Sequence, residues 1–299
     1  MNHAALLTAI GDGGATGSSL AEHFGVSRTA VWKAVKQLRA EGVQIEGAAG
    51  EGYRLVGEAG FGPHTLAWRL GRPVHFFERC GSTNIEARRL AAASESPGGT
   101  VVVADVQETG RGRLGRQWDA EYGQNLLFSV VLQPRVLPQL APVCVLAWAA
   151  AMAEVLDCQV KWPNDLITAD GLKVGGILAE LSAEAEQVRF VVLGVGINVN
   201  QTEFPGLPFA TSLANLRGEP TDRAHLLAEL VAAVETVDTT KPPDLGPWRN
   251  RAHTLGKRVR VGDIEGVADD IREDGALLVD GTPILAGDVH MLGSCADRG

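Results

Sequence analysis

Two apolar runs, Thr100–Val106 and Asn125–Leu132, flank a stretch that begins at Gln107 and ends at Trp118. Short runs rich in Val and Leu predict strands. Between them Gly110, Arg111, Gly112, Arg113, Gly115 and Arg116 interleave glycine with cation. The spacing Gly110-x-Gly112-x-x-Gly115 has the form of a dinucleotide fingerprint. That fingerprint needs a helix N-terminus directly after its glycines. Here Asp119–Gln124 is turn-like and the next run is another strand, so a nicotinamide-binding βαβ unit is disfavoured. What remains is strand, basic loop, strand. Glycine lets backbone N–H groups approach a bound group closely. Arginine offers a rigid fork of donors matched to phosphate or carboxylate. Such a loop wraps an anion; the plain alternative is a solvated basic hairpin loop. With no anion, Arg111, Arg113 and Arg116 repel one another and nothing apolar anchors the loop. It is therefore expected to be disordered when empty and ordered when filled.

The totals set limits around this loop. A chain of 299 residues has room for two or three domains. A net charge of -9 argues against a protein that coats nucleic acid through bulk charge, though not against local basic patches. Cys80, Cys144, Cys158 and Cys295 are scattered with no C-x-x-C pair. That disfavours a zinc site or disulfide framework and suits a reducing cytosol. No secretion signal is evident. The most apolar stretch, Leu140–Ala153, is about 14 residues long and contains Pro142. It reads as too short for a bilayer and as a buried helix instead.

Residues 1–60 read as a separate unit. Ser18-Ser19 is positioned to cap a helix through Ala21–Phe24, and Ser27 to cap a second through Ala40, with Gly25-Val26 as the turn. On the second helix Val31, Val35 and Leu38 share one stripe, and Thr29, Lys33 and Lys36 the opposite face. Arg28, Lys33, Lys36 and Arg39 occur there with no acidic residue. Two helices on a Gly turn with a basic second helix have the helix-turn-helix pattern. Val43–Ile45 and Tyr53–Val56, around Gly47–Gly52, predict a hairpin whose turn is a wing. The segment resembles the winged helix-turn-helix domain of bacterial regulators. That resemblance implies Thr29, Lys33 and Lys36 at the major groove, Arg28 and Arg39 at phosphates, and a dimer on two half-sites. The alternative is a helical cap that touches no DNA. Across the unit Arg28, Lys33, Lys36, Arg39 and Arg54 are outnumbered by Asp12, Glu22, Glu41, Glu46, Glu51 and Glu58, so only the one face is basic.

Gly60–Pro63 reads as a linker and Val74–Phe77 as a short strand. Ser82, Thr83 and Asn84 precede the amphipathic segment Ile85–Ala93, where they either cap the helix or contact a ligand. Ser96–Gly99 reads as a loop. After the buried helix comes Lys161-Trp162-Pro163-Asn164-Asp165. Proline stiffens the backbone beside Lys161, so its amine can face an anion with little freedom; the alternative is an exposed lysine at a strand end. Gly175-Gly176, inside the predicted strand Val174–Leu181, suggests a close approach to the backbone. Val188–Val195 predicts another strand and Thr221–Val237 a helix, with Pro242–Pro247 a boundary. Gly256–Leu292 alternates short strand runs with Gly/Asp turns, as in a small barrel.

Together these pieces resemble the bacterial biotin protein ligases of the bifunctional type, which also repress the biotin operon. The resemblance rests on Ser82-Thr83-Asn84, on Gln107 with Gly110–Arg116, on Lys161–Asp165, on Gly175-Gly176-Ile177-Leu178 and on Gly194-Val195-Gly196-Ile197-Asn198. It implies an α+β chain: a winged helix-turn-helix over 1–62, a central class II synthetase-like mixed-sheet catalytic domain over 63–250, and an SH3-like β-barrel over 251–299. It implies biotin and ATP as substrates, Mg²⁺ with the nucleotide, biotinyl-5′-AMP as the intermediate, and a lysine of a biotin carboxyl carrier protein as acceptor.

By the same resemblance Lys161, Arg111 and Arg113 are catalytic. Ser82, Thr83, Asn84, Gln107, Gly112, Gly175 and Gly176 join them around biotin. Arg116, Trp118, Asn164 and Asn198 join Arg111 and Arg113 around the adenylate. Operator DNA and a ligand-induced homodimer are the further partners implied, in the cytoplasm and without a membrane. Leu114 stands where a basic or small residue is common in such loops. A small-acid sensor without ligase activity and a lipoate-type ligase are the competing readings.

Overall fold

The computed structural model describes residues 1–11, 13–47, 52–56, 60–94 and 97–292. Contacts divide the chain into two compact units, one of Met1–Phe76 with Asp222–Ala228, the other of Phe77–Thr221 with Glu229 onward. The expected wing turn at 48–51, part of the Ser96–Gly99 loop, and Cys295 lie outside the described residues.

The first unit opens with α1 (His3–Gly11), α2 (Gly17–Phe24) and α3 (Arg28–Ala40). The Ser18-Ser19 cap moves back two residues: the Thr16 side chain accepts from Ser19 N, which lengthens α2 at its start. Ser27 caps α3 as expected, accepting from Ala30 N. Strands β1 (Ile45–Glu46) and β2 (Arg54–Leu55) pair antiparallel as the hairpin. Leu6, Leu7 and Ile10 of α1 close a core with Leu20, Val31, Val35 and Leu38. The linker expected over Gly60–Pro63 leads straight into α4 (Pro63–Leu70). Pro63 is instead its first residue, where a missing N–H costs nothing. Trp68 of α4 packs on the same core and donates to Thr8 Oγ1 at 3.1 Å. The unit therefore runs on past residue 62.

The second unit is built on a seven-stranded sheet. Its strands are β3 (His75–Cys80), β4 (Val101–Gln107), β5 (Leu126–Leu132), β6 (Gln159–Lys161), β7 (Asp165–Ile167), β8 (Lys173–Ala183) and β9 (Val188–Ile197). They lie in the order β3-β4-β5-β9-β8-β7-β6. From β4 across to β6 every neighbour is antiparallel. Helix α5 (Thr83–Ala92) crosses from β3 to β4, and the bonds Glu108 N to Cys80 O and Thr109 N to Gly81 O advance in step. Those two strands run parallel, so the sheet is mixed. Ala87 and Ala91 of α5 pack on Val102, Val131, Phe190 and Val192.

Helix α6 (Ala141–Val155) is the expected buried helix, and a 3₁₀ turn at Pro138–Leu140 leads into it. Pro138–Val155 is long and apolar enough to cross a membrane by composition, with a mean hydropathy of 1.4, but 56% of it is buried inside the protein. It packs against β6 and β8 as a core helix. Three more helices follow: α7 (Leu213–Arg217), α8 (Arg223–Thr236) and α9 (Gly246–Arg251). Strands β10 (Arg258–Val261), β11 (Ile264–Ile271), β12 (Leu277–Val279), β13 (Thr282–Ile284) and β14 (Val289–Met291) then form a five-stranded antiparallel sheet in the order β13-β12-β11-β10-β14. It supplies the strands expected at the C-terminal end. Within the second unit it is tied to the large sheet: Trp162 N donates to Thr254 Oγ1 at 2.9 Å, and Trp162 Nε1 to Gly275 O at 3.2 Å.

Candidate active site

A cavity of about 520 Å³ opens on the large sheet of the second unit. Its polar end is made where β3 turns into α5. Ser82 occupies the N-cap position, yet its side chain makes no capping bond, and the residue is 4% exposed. The residue lines the cavity instead. Gln107 ends β4 and accepts from Thr83 N at 2.7 Å and Thr83 Oγ1 at 3.1 Å. Its amide nitrogen remains a donor. Ser129, a polar residue within the apolar run of β5, lies 2.8 Å from Thr83 Oγ1 and 2.7 Å from Asn84 Oδ1. One hydroxyl proton serves only one of these two acceptors, so the cluster keeps acceptor capacity for a bound N–H. Asn84 Nδ2 donates to Leu178 O, which pins the start of α5 to β8. A Cβ at Gly194 would stand 2.1 Å from Asn84 Oδ1, so glycine is what lets β9 pass beneath.

Cations form the opposite end. The hairpin β6–β7 pairs Lys161 with Asp165. Asp165 Oδ1 in turn takes Lys173 Nζ at 2.7 Å. Burial holds the Lys161 amine below its ordinary value, the Lys173 and Arg116 cations push the same way, and Asp165 and Asp288 oppose them. Removing Lys161 from water thus makes its charge costly until an anion arrives.

The basic loop closes the cavity's side. Gly112 N donates to Arg116 O at 2.7 Å and Trp118 N to Gly110 O at 3.0 Å. Leu114 holds a left-handed φ of 55° and is 75% exposed. The expectation that nothing but a bound anion holds this loop is corrected. Arg116 pairs with Asp288, and Arg113 Nη2 donates to Gly287 O, both from the turn before β14. Trp118 is an apolar anchor: a Cβ at Gly196 would stand 2.6 Å from its ring and one at Gly176 3.3 Å. Lys173 Nζ lies 5.5 Å from the ring centroid, while the indole N–H is buried with no partner.

The structure brings Ser82, Thr83, Asn84, Gln107, Arg111, Gly112, Arg113, Arg116, Trp118, Lys161, Asn164, Gly176 and Asn198 to this one cavity. Gly175 is corrected. Alternate residues of a strand face opposite sides, and Gly175 faces inward, where a Cβ would stand 2.6 Å from Ile197 Cδ1. The approach that glycine permits there is made by the protein itself. Asn164 and Asn198 line the wall but donate to backbone carbonyls, Asn164 to Ile177 at 2.8 Å and Asn198 to Thr211 at 3.0 Å. They hold strand ends in place. Lys173, Asp165, Gly194, Gly196 and Asp288 also line the cavity and were not anticipated as site residues, nor was Ser129, which lies behind it on Thr83 and Asn84. The alternation Gly194-Val195-Gly196 carried a signal, two glycines on one strand face. For Asp288, 172 residues from Arg116, the sequence carried none. Among the described residues no group of three or more His, Cys, Asp and Glu is placed to hold a metal.

In the first unit Arg28, Thr29, Lys33 and Lys36 are all exposed. Arg39 is corrected from a phosphate contact: its guanidinium donates to Ile45 O at 2.9 Å and Gly47 O at 3.3 Å. It ties α3 to the hairpin.

Fold and cavity define a class: a ligase-type α+β domain bearing a helix-turn-helix module. Residues 76–198 match the biotin/lipoate A/B protein ligase family and residues 6–54 an HTH domain. The chain is 34% identical over 292 residues to the bifunctional ligase/repressor BirA of Bacillus subtilis, covering 89% of each chain. It is 36% identical over 232 residues to the biotin–[acetyl-CoA-carboxylase] ligase of Mycobacterium tuberculosis, covering 70% of this chain and 84% of that one. The solved biotin protein ligase of Aquifex aeolicus in complex with biotin and ATP superposes with a TM-score of 0.59 at 32% identity, over 73% of this chain and 97% of that one. The chain belongs to the biotin protein ligase family, in its bifunctional ligase/repressor branch.

Proposed function

We propose that this protein is an ATP-dependent biotin protein ligase and a biotin-responsive repressor, acting in the cytoplasm. The carboxylate of biotin attacks the α-phosphorus of ATP, pyrophosphate leaves, and biotinyl-5′-AMP forms. The amine of a carrier-protein lysine then attacks the acyl carbon, loses a proton and releases AMP. The carrier is the biotin carboxyl carrier protein of acetyl-CoA carboxylase. The observation that supports this most is the cavity's polarity, with neutral donors and acceptors at one end and a half-buried lysine at the other.

Biotin's ureido ring suits the Ser82 and Thr83 hydroxyls, with Gln107 and Gly112 beside it and Ser129 holding Thr83 and Asn84 from behind. Its carboxylate and the α-phosphate are both anions and repel each other. Lys161, with Arg111 and Arg113, offsets that repulsion where charge develops in the transition state, usually the largest catalytic contribution. Arg116 takes the remaining phosphate charge and Trp118 covers the adenine. Mg²⁺ accompanies the nucleotide, held by phosphate oxygens and water. Closure of the loop excludes water from the labile anhydride. Ligand-driven loop order also favours a homodimer, whose paired helix-turn-helix units read two operator half-sites through Arg28, Thr29, Lys33 and Lys36.

Incubation with biotin, labelled ATP and a carrier domain is the test. Wild-type protein releases pyrophosphate and labels the carrier, and Lys161→Met loses biotinyl-AMP formation. No pyrophosphate release by the wild type would leave only the sensor reading. Preferential use of lipoate in competition would move the chain to the lipoate branch.

A further inference from the structure

Helix α3 exposes one large apolar side chain. Trp32 is 50% exposed although the helix has a complete buried stripe in Val31, Ala34, Val35 and Leu38. At 100° per residue, Trp32 falls beside Lys36 and Thr29 on the outward arc, on the side away from Lys33. The fold does not need an indole there. Lys36 Nζ lies 5.5 Å from its ring centroid, which holds the ring within the cationic face.

The charge of that face selects the occupant. Arg28, Lys33 and Lys36 have no acidic neighbour on the helix, which suits a polyanion rather than an apolar protein surface. Yet the unit as a whole is not basic, and Arg39 is occupied by the Ile45 and Gly47 carbonyls. Few cations remain for phosphates, so non-specific attraction is weak and base-edge contacts must carry more of the binding. The major groove offers an apolar base edge at the thymine 5-methyl group.

We propose that Trp32 is a specificity-determining residue that packs its indole on thymine methyl groups in the major groove. Thr29, Lys33 and Lys36 place it there. This rests on the operator-binding reading above and adds to it a residue that reads an apolar base edge.

The test uses the full chain with biotin and ATP. A duplex is selected from a random pool by the wild-type protein, and each thymine is replaced in turn by deoxyuridine, which lacks only the methyl group. Wild-type affinity is expected to fall about tenfold at one or two positions. Trp32→Ala is expected to bind the parent duplex about tenfold more weakly, to ignore those replacements and to keep the wild-type salt dependence. Arg28→Ala, at the position assigned to phosphate, should lower the salt slope by about one while keeping the deoxyuridine pattern. Carrier biotinylation by Trp32→Ala stays at the wild-type rate, and its circular dichroism and melting match the wild type, which reports an intact first unit. Selection of a duplex by the wild type with no thymine effect, or an unchanged pattern in Trp32→Ala, overturns the assignment and leaves operator binding standing. Failure of the wild type to select any duplex overturns both.

Discussion

At the residue scale, Lys161 and His253 show how burial sets charge. Burial and neighbouring cations hold the Lys161 amine below the ordinary lysine value of 10.5. Its charged form is the active one, so activity falls as pH rises through the lowered value. The rate of biotinyl-AMP formation is expected to decline on the alkaline side below pH 10.5. Lys161→Arg, which does not titrate there, should move that limb outward even if its maximum is lower; a limb that stays in place would assign it to another group. His253 is buried, and its value is pushed down to about 4 by burial, then by Lys257 and Lys161. Its Nδ1–H donates to Gln159 Oε1 at 2.7 Å, and its Nε2 accepts from Lys257 Nζ at 2.7 Å. His253 N also donates to Val160 O, so this residue braces the strand that ends in Lys161. On acidification the unfolded chain takes a proton near pH 6.5, while the folded imidazole resists until about 4. Stability is therefore full above 6.5 and lost across that window, by up to roughly 3 kcal/mol. Urea unfolding from pH 7 to 4 should show this slope, and His253→Gln should flatten it.

At the element scale, the basic loop is latched in two ways. Trp118 fits over Gly196 and Gly176, and Arg116 and Arg113 reach Asp288 and Gly287. Arg116 is well exposed, so its ion pair adds little to stability on its own. Its consequence is positional: it holds the loop near the cavity before any anion binds. Asp288→Ala should raise tryptic cleavage at Arg111, Arg113 and Arg116 severalfold in ligand-free protein, with biotin and ATP together restoring protection. Equal cleavage in variant and wild type would show that the Arg116–Asp288 pair does not set the loop's position. The loop was legible in the sequence as an anion-binding device because glycine and arginine are local signals. Its tether was not, since neither Asp288 nor Gly287 belongs to any motif near Arg116.

At the scale of the whole molecule, boundaries follow packing rather than composition. Gly60–Pro63 has the residues of a linker, yet α4 begins at Pro63 and returns Trp68 to the core of the first unit. Within the same unit His64 lies in hydrogen-bond contact with Glu41 at 2.5 Å. A fragment of residues 1–76 keeps these contacts. One of 1–62 should melt several degrees lower or aggregate, as circular dichroism and sedimentation will report. Equal melting of the two fragments would return the boundary to residue 62. The C-terminal sheet, legible as alternating strands, is joined through Trp162 to the hairpin that carries Lys161.

The sequence alone determined what is local: the helix-turn-helix face, the strand–loop–strand around Gly110–Arg116, the Lys161 hairpin and the family to which they belong. Each depends on side-chain period, turn chemistry or a contiguous motif. Tertiary structure decided which glycine of Gly175-Gly176 faces the cavity, because sheet pairing assigns the faces. It placed Ser129 against Thr83 and Asn84, and Asp288 against Arg116. It also gave Arg39 the Ile45 and Gly47 carbonyls as partners. Those outcomes come from contacts between residues far apart in the chain, and no local pattern encodes which distant partner a side chain meets.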